Sequence, residues 1–142
     1  MKLLLAVDGS KQSMTAVNSL IEHADWYREK PVVELVTVHL PLPKLPRMGL
    51  VVGKNQIQRY YQEEGAASLA AAKKKLRAAG IACKASVLVG PVAETIVQHA
   101  AKTRCDLIFI GSRGHTGLRS ALLGSTASKV LSLSKTPVLL VK

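Results

Sequence analysis

Aromatic residues are scarce in this 142-residue chain, with one Trp, one Phe and three Tyr, or 4% in all. Proteins that hold nucleic acid by base stacking interleave aromatics with basic residues, so that class loses its main sequence sign. Cysteine is nearly as rare. Cys83 and Cys105 lie too far apart for a metal set or a disulfide framework and are expected as buried, reduced thiols. Acidic residues are also few, nine against 20 Lys and Arg, giving a formal net charge of +11. That balance suits nucleic acid, a membrane surface or a small anionic ligand. Without a recognition helix or zinc spacing it permits an anionic partner but selects none, and no specific nucleic acid is expected. No apolar run approaches the roughly 18 residues of a membrane span. The opening run Met1 to Val7 is cut by Asp8, with no small-residue cleavage site after it. It therefore reads as a buried first strand rather than a secretory leader, and a cytoplasmic protein with no membrane partner is expected.

What is present is enough apolar material for a core. Hydrophobic residues make up 48% and charged residues 20% of the chain, and no linker or internal repeat divides it, so a single domain over residues 1–142 is expected. Lys2 to Val7 is a short apolar run ended by Asp8-Gly9, as in a parallel strand covered on both faces. Ser10 then caps a helix whose Val17, Leu20, Ile21 and Ala24 recur at helical spacing. The β-branched run Val32 to Leu40 is a second strand, and Pro41 to Gly53, with three prolines and two glycines, an irregular loop. A long helix from about Lys54 to Ala79 turns Ile57, Tyr61, Leu69, Ala72 and Leu76 inward. Its Lys73-Lys74-Lys75 and Arg77 read as a solvated face. Gly80 stops it, and Ile81 to Val89 is a third strand. Gly90-Pro91 opens a helix with Val92, Ile96, Val97 and Ala100 inward and Pro91 at its first position. Cys105 to Ile110 is a central fourth strand. A helix from about Ser125 to Leu133 precedes a last strand, Val138 to Val141. Alternation throughout predicts an α/β fold with a parallel sheet and right-handed crossovers. Asp8 then falls at the carboxyl edge, where such sheets bind ligands.

The most informative stretch is Ile110 to Ala127. Its skeleton is Gly111, two residues, Gly114, nine residues, then Gly124-Ser125. A strand ending in a glycine turn lets backbone N–H groups converge without a Cβ in the way, and a helix starting at Gly124-Ser125 adds unpaired first-turn donors. Together these suit an anion, and phosphate in particular. The plain alternative is that Gly111 ends a strand, Gly124 caps a helix, and Gly114 and Gly117 loosen a loop. No Lys follows Gly124-Ser125 and the glycines are not spaced G-x-G-x-x-G, so neither familiar phosphate-loop pattern applies.

In these residues the chain resembles the universal stress proteins, specifically the subset with the ATP-binding pattern G-x2-G-x9-G-[S/T], which Gly111, Gly114, Gly124 and Ser125 match in full. The resemblance runs from Leu-Leu-Ala-Val-Asp-Gly-Ser at the start, through Val36-Thr-Val-His-Leu, to the closing Thr136-Pro-Val-Leu-Leu-Val. It implies a single three-layer α/β/α domain, Rossmann-like and adenine nucleotide alpha hydrolase-like, with a five-stranded parallel sheet of order 3-2-1-4-5 and a cleft where strands one and four diverge. It further implies that Ala6, Val7 and Asp8 lie beside adenosine, that Leu40 gives main-chain contacts to adenine, and that Gly111 approaches the ribose. Ser112, Arg113, Gly114, Gly124, Ser125 and Thr126 would surround the phosphates. Ala6 departs from the proline often found there. Asp8 accepts a hydrogen bond from the nucleoside, helps hold a hydrated Mg²⁺, or simply caps a helix; the residues alone do not choose. Arg113 and Arg119 are the nearest cations in sequence, and a guanidinium fork suits phosphate oxygens, although loop arginines are often solvated. His115 reads as a surface residue. The ligand implied is ATP, or ADP or AMP in its place, with Mg²⁺. The function implied is an ATP-binding regulator of the stress response that forms a homodimer through its C-terminal strand and acts on a protein partner not named by the sequence. A slow ATP hydrolase is the alternative, since efficient phosphoryl transfer needs a positioned base and in-line geometry that the sequence does not display. A basic nucleic-acid binder ranks third.

Overall fold

The computed structural model describes residues 1–42, 53–112 and 123–142. Its elements alternate strictly: β1 (Lys2–Ala6), α1 (Ser13–Glu22), a short 3-10 turn (Ala24–Trp26), β2 (Val32–His39), α2 (Lys54–Ala78), β3 (Cys83–Val89), α3 (Val92–Lys102), β4 (Leu107–Gly111), α4 (Ser125–Leu133) and β5 (Val138–Val141). All strands are parallel, in the order β3-β2-β1-β4-β5, as expected. β1 holds the middle, in register with β2 through Leu4↔Glu34 and with β4 through Leu4↔Ile108. β4 lies between β1 and β5 rather than at the centre.

The pleat sends alternate residues of each strand to opposite faces, and both faces are covered. Leu3, Leu5, Val33, Leu35 and Phe109 meet Ala16, Val17 and Leu20 of α1 and Leu69, Ala72 and Leu76 of α2. Leu4, Ala6, Val36, Ile108 and Ile110 meet Ala93, Ile96 and Ala100 of α3 and Val130 of α4. Leu3, Leu4 and Leu5 are wholly buried; each stabilises the fold by about 1.5–3 kcal/mol relative to exposure. The three-layer arrangement therefore follows from β1 being apolar at four consecutive positions, Leu3 to Ala6, rather than at every second one.

Element ends differ from the sequence reading where helix termini use backbone-satisfying turns. At the end of α2, Gly80 adopts φ +66°, its N–H donates to the Arg77 carbonyl, and the Ile81 N–H reaches back to Leu76 O at 2.9 Å. This six-residue closure pairs the last helical carbonyls and uses up Ile81, so β3 starts at Cys83. The same closure ends α3, where the Cys105 N–H donates to Ala100 O at 2.9 Å and Arg104 takes the left-handed position at φ 55°. β4 accordingly starts at Leu107, not Cys105. β2 ends at His39 rather than Leu40. Ser10 does act as a cap, its Oγ accepting the Ser13 N–H at 3.0 Å, but the helix itself begins at Ser13. Pro91 is the residue before the first turn of α3 rather than within it. Ile21, Ala24, Val92 and Val97 pack against the core as expected while remaining half-buried, and Ile57 is also half-buried. Lys73, Lys74, Lys75 and Arg77 are exposed.

Candidate functional site

β1 and β4 are neighbours, yet the helices that follow them lie on opposite faces of the sheet, α1 on one and α4 on the other. A crevice must open between two adjacent strands whose chains leave in opposite directions, and this is the ligand position of open α/β sheets. A cavity of about 430 Å³ occupies it. That volume falls within the roughly 300–1,000 Å³ of small-molecule sites.

The cavity walls are Ala6, Val7, Asp8 and Ser13 from the end of β1 and the start of α1, Val36, Val38, His39 and Leu40 from β2 and beyond, Val92 and Ile96 from α3, Ile110, Gly111 and Ser112 from β4, and Gly124 to Ala127 at the start of α4. Ala6, Val7, Asp8, Leu40, Gly111, Ser112, Gly124, Ser125 and Thr126, each singled out from the sequence, thus converge on one cavity from three distant segments. Arg113, Gly114, His115, Gly117 and Arg119 lie outside the described residues. The apolar depth of the cavity, from Val36, Val38, Val92, Ile96 and Ile110, was not foreseen. Neither were Ser13 and His39, although His39 ends a strand at the carboxyl edge, which is a usable signal for a site residue.

Asp8 is held by its own turn. Its Oδ1 accepts the Ser10 N–H at 2.9 Å and the Ser10 hydroxyl at 2.6 Å, while its N–H donates to Ser13 Oγ at 3.4 Å. The Ser13 hydroxyl in turn donates to Ser10 O at 3.0 Å. Such local pairing locks the carboxylate beside the cavity. Across from it, the chain entering α4 is tied to the end of β4. The Gly124 N–H donates to Ser112 O at 2.8 Å, and the Ser112 N–H to Val141 O at 2.7 Å. Gly124 is extended at φ −61°, ψ 152°. The first intrahelical bond of α4 runs from the Ser128 N–H to Gly124 O, so the N–H groups of Ser125, Thr126 and Ala127 have no partner within the helix. These donors and the positive end of the helix dipole give the cavity an anion-attracting wall. Among the described residues, no Lys or Arg lines it.

A second polar cluster lies at the opposite, amino end of the sheet. Glu34 is 5% exposed, with Oε1 2.9 Å from Lys2 Nζ and Oε2 3.6 Å from His99 Nε2. Burial pushes its carboxyl up, but the hydrogen bond and charge of Lys2, with His99 and Lys84 adding to them, hold it below the ordinary glutamate range. It takes no part in the cavity. Among the described residues no group of three or more His, Cys, Asp and Glu side chains is placed to hold a metal ion, and no helix is long and apolar enough to cross a membrane.

Comparison with known proteins agrees with this architecture. The model of the universal stress protein family matches residues 1–142. Universal stress protein MJ0531 of Methanocaldococcus jannaschii is 33% identical over 99% of this chain and 81% of its own length. Universal stress protein YxiE of Bacillus subtilis is 30% identical over 99% of this chain and 98% of its own. Among solved structures, MJ0577 of Methanocaldococcus jannaschii superposes with a TM-score of 0.80 at 29% identity, covering 99% of this chain and 94% of that one. Two more distant structures share the fold and hold adenine nucleotides. The Archaeoglobus fulgidus universal stress protein in complex with dAMP has a TM-score of 0.63 at 24% identity, with 100% and 98% coverage. An Arabidopsis thaliana family member with AMP bound has a TM-score of 0.69 at 16% identity, with 100% and 91% coverage. The strand order and the crevice at the β1/β4 fork define a doubly wound α/β domain. Within that class the chain belongs to the universal stress protein family.

Proposed function

We propose that the domain spanning residues 1–142 is a cytoplasmic, ATP-binding regulator of the stress response, in which the nucleotide state controls dimerisation or the choice of a protein partner. The observation that carries this reading is the convergence of Ala6, Asp8, Leu40, Gly111, Ser112, Gly124 and Ser125 on one cavity of nucleotide size at the β1/β4 fork. Its apolar depth fits a base and sugar. The open N-terminus of α4 fits phosphates, where each hydrogen bond to a charged oxygen contributes about 1.5–3 kcal/mol. AMP and dAMP in family members of the same fold support an adenine ligand. Arg113 and Gly114 complete the proposed phosphate set.

Mg²⁺ binds through one or two carboxylates together with substrate phosphates and several waters. Asp8 is the carboxylate on the described cavity wall, so the residues fit a nucleotide-borne ion, which would neutralise phosphate charge. Homodimerisation is assigned to β5, which pairs with β4 on one side and forms the sheet edge on the other.

The test is calorimetric titration of ATP with Mg²⁺, ADP and AMP into the wild type, Gly124→Val and Ser125→Ala, with circular dichroism as the folding control. Saturable ATP binding weakened on the order of a hundredfold by Gly124→Val is expected, since a branched Cβ at the helix entrance displaces about two phosphate bonds. Unchanged affinity in the folded Gly124→Val variant refutes the assignment. Turnover above about 1 s⁻¹, the low end of ordinary enzymes, would make the protein an ATPase instead.

A further inference from the structure

The chain leaves β2 at His39, whose carbonyl receives the Gly90 N–H at 2.9 Å. Beyond that bond the ladder is finished, and Leu40 reaches the cavity with its side chain 66% exposed. What Leu40 can offer a ligand in a fixed place is therefore its peptide group. Pro41 follows and brings no N–H. The segment is instead tied down from α2. The Tyr61 hydroxyl accepts the Leu42 N–H at 2.6 Å and donates over a longer 3.5 Å to Leu40 O, so one phenol bridges both sides of Pro41. Tyr61 is itself only 7% exposed. The His39 ring lies against it with centroids 5.9 Å apart, and His39 also lines the cavity. Among the described residues its buried Nε2 has no hydrogen-bond partner.

We infer that Tyr61 is a positioning residue that fixes the Leu40 peptide as the edge on which a purine base is read, and so sets a preference for adenine over guanine nucleotides. The inference rests on the reading that the cavity binds a nucleotide. Adenine presents an amino donor where guanine presents a carbonyl acceptor. A backbone carbonyl clamped in place accepts from the first and opposes the second, and the mismatch leaves buried polar atoms unpaired, which is the strongest form of discrimination. The Leu40–Pro41 peptide has no N–H to turn toward guanine, so a carbonyl free to swing away would hold adenine less firmly and oppose guanine less. Tyr61 contributes only the clamp and is not asked to touch the ligand.

The experiment titrates ATP, GTP and inorganic tripolyphosphate into the wild type and Tyr61→Phe, which keeps the ring against His39 and removes the hydroxyl. Melting and circular dichroism serve as folding controls. Wild type is expected to prefer ATP. Tyr61→Phe should lose about tenfold in ATP affinity, the equivalent of one net hydrogen bond, with GTP and tripolyphosphate affinities little changed. Leu42→Pro, at an exposed position, removes the other half of the clamp and should narrow the preference in the same way, which covers the case of a Phe variant that does not fold. An ATP-to-GTP preference unchanged in a folded variant overturns the inference. So does a wild type that binds both equally, or a variant in which all three ligands weaken together, since that marks general loosening. A wild type that binds no nucleotide overturns the preceding proposal instead.

Discussion

Replacing Gly65 by Ala separates helix propensity from packing at the α2/β3 contact. Gly65 lies in the middle of α2 and is buried. On propensity alone, Ala there stabilises a helix by about 0.8–1 kcal/mol. A Cβ at this position, however, falls inside contact distance of both methyl groups of Val87 and 3.0 Å from its Cβ. Val87 is β-branched and stiff at χ1, and its strand is held in the ladder by Val87↔Thr37 pairing, so neither rotation nor retreat is cheap. Overpacking of this sort costs about 1–3 kcal/mol. The net expectation is a loss of about 1 kcal/mol and a fall in Tm of about 2–4 °C, measured by urea and thermal unfolding. In a Val87→Ala background the obstruction is gone, and Gly65→Ala should become stabilising by about 1 kcal/mol, a coupling of about 2 kcal/mol within the range for residues in contact. A wild-type background in which Gly65→Ala raises stability, or an equal loss in both backgrounds, refutes the reasoning.

The depressed Glu34 carboxyl makes a contribution that is complete above the unfolded-state pKa, about 4.3, and is lost as pH falls through the lower folded-state value. Urea midpoints should therefore drop on acidification below about pH 4.3, and Glu34→Gln should flatten that drop; parallel acid limbs in the two proteins would count against it. Burial pushes the Cys105 thiol up, with the Thr103 hydroxyl acting in the opposite sense, and Cys105 is 8% exposed. Iodoacetamide followed by peptide mass spectrometry should find Cys83 labelled in the native protein and Cys105 labelled only as fast as the fold opens; equal rates would show the site is not closed. At the sheet edge, Pro137 O and Val141 O accept from β4, so by the period of two the N–H groups of Val138 and Leu140 face outward. Leu140→Pro should leave the β4/β5 ladder intact and convert a dimer to a monomer in light scattering. A wild type that is monomeric at micromolar concentration removes the dimer proposal.

Strand identity was legible because β1, β2 and β4 are largely apolar, whereas the strand order came only through the family resemblance that the glycine skeleton carries. β5 and α4 were read to the residue, since Gly124 and Thr136-Pro137 punctuate them. The errors have a common cause. Gly80 announces the end of α2 but not that Ile81 will be spent closing it, and at α3 the same closure uses Arg104, a residue that carries no turn signal. On α3 the expected Ile96 and Ala100 are buried, Val92 and Val97 flank them half-buried, and Ala93 is the core position that was not picked out. At the cavity, single residues at strand ends were readable. The Tyr61 clamp was not, since it depends on an α2 phenol meeting a loop 19 positions earlier, and neither was the burial of Glu34 in an otherwise apolar strand.

The fork between β1 and β4 has a thermodynamic consequence of its own. Its walls run from Ala6 at the end of β1 to Ala127 in α4, so no fragment lacking β1 or α4 can supply them all. A ligand seated there binds only the complete fold, and every such ligand adds RT ln(1 + [L]/Kd) to the unfolding free energy, about 2.7 kcal/mol when its concentration is a hundred times Kd. With the proposed nucleotide bound, the pocket would act as a removable rivet between the end of β1 and the start of α4. The time the chain spends folded would then report how much ligand the surroundings supply.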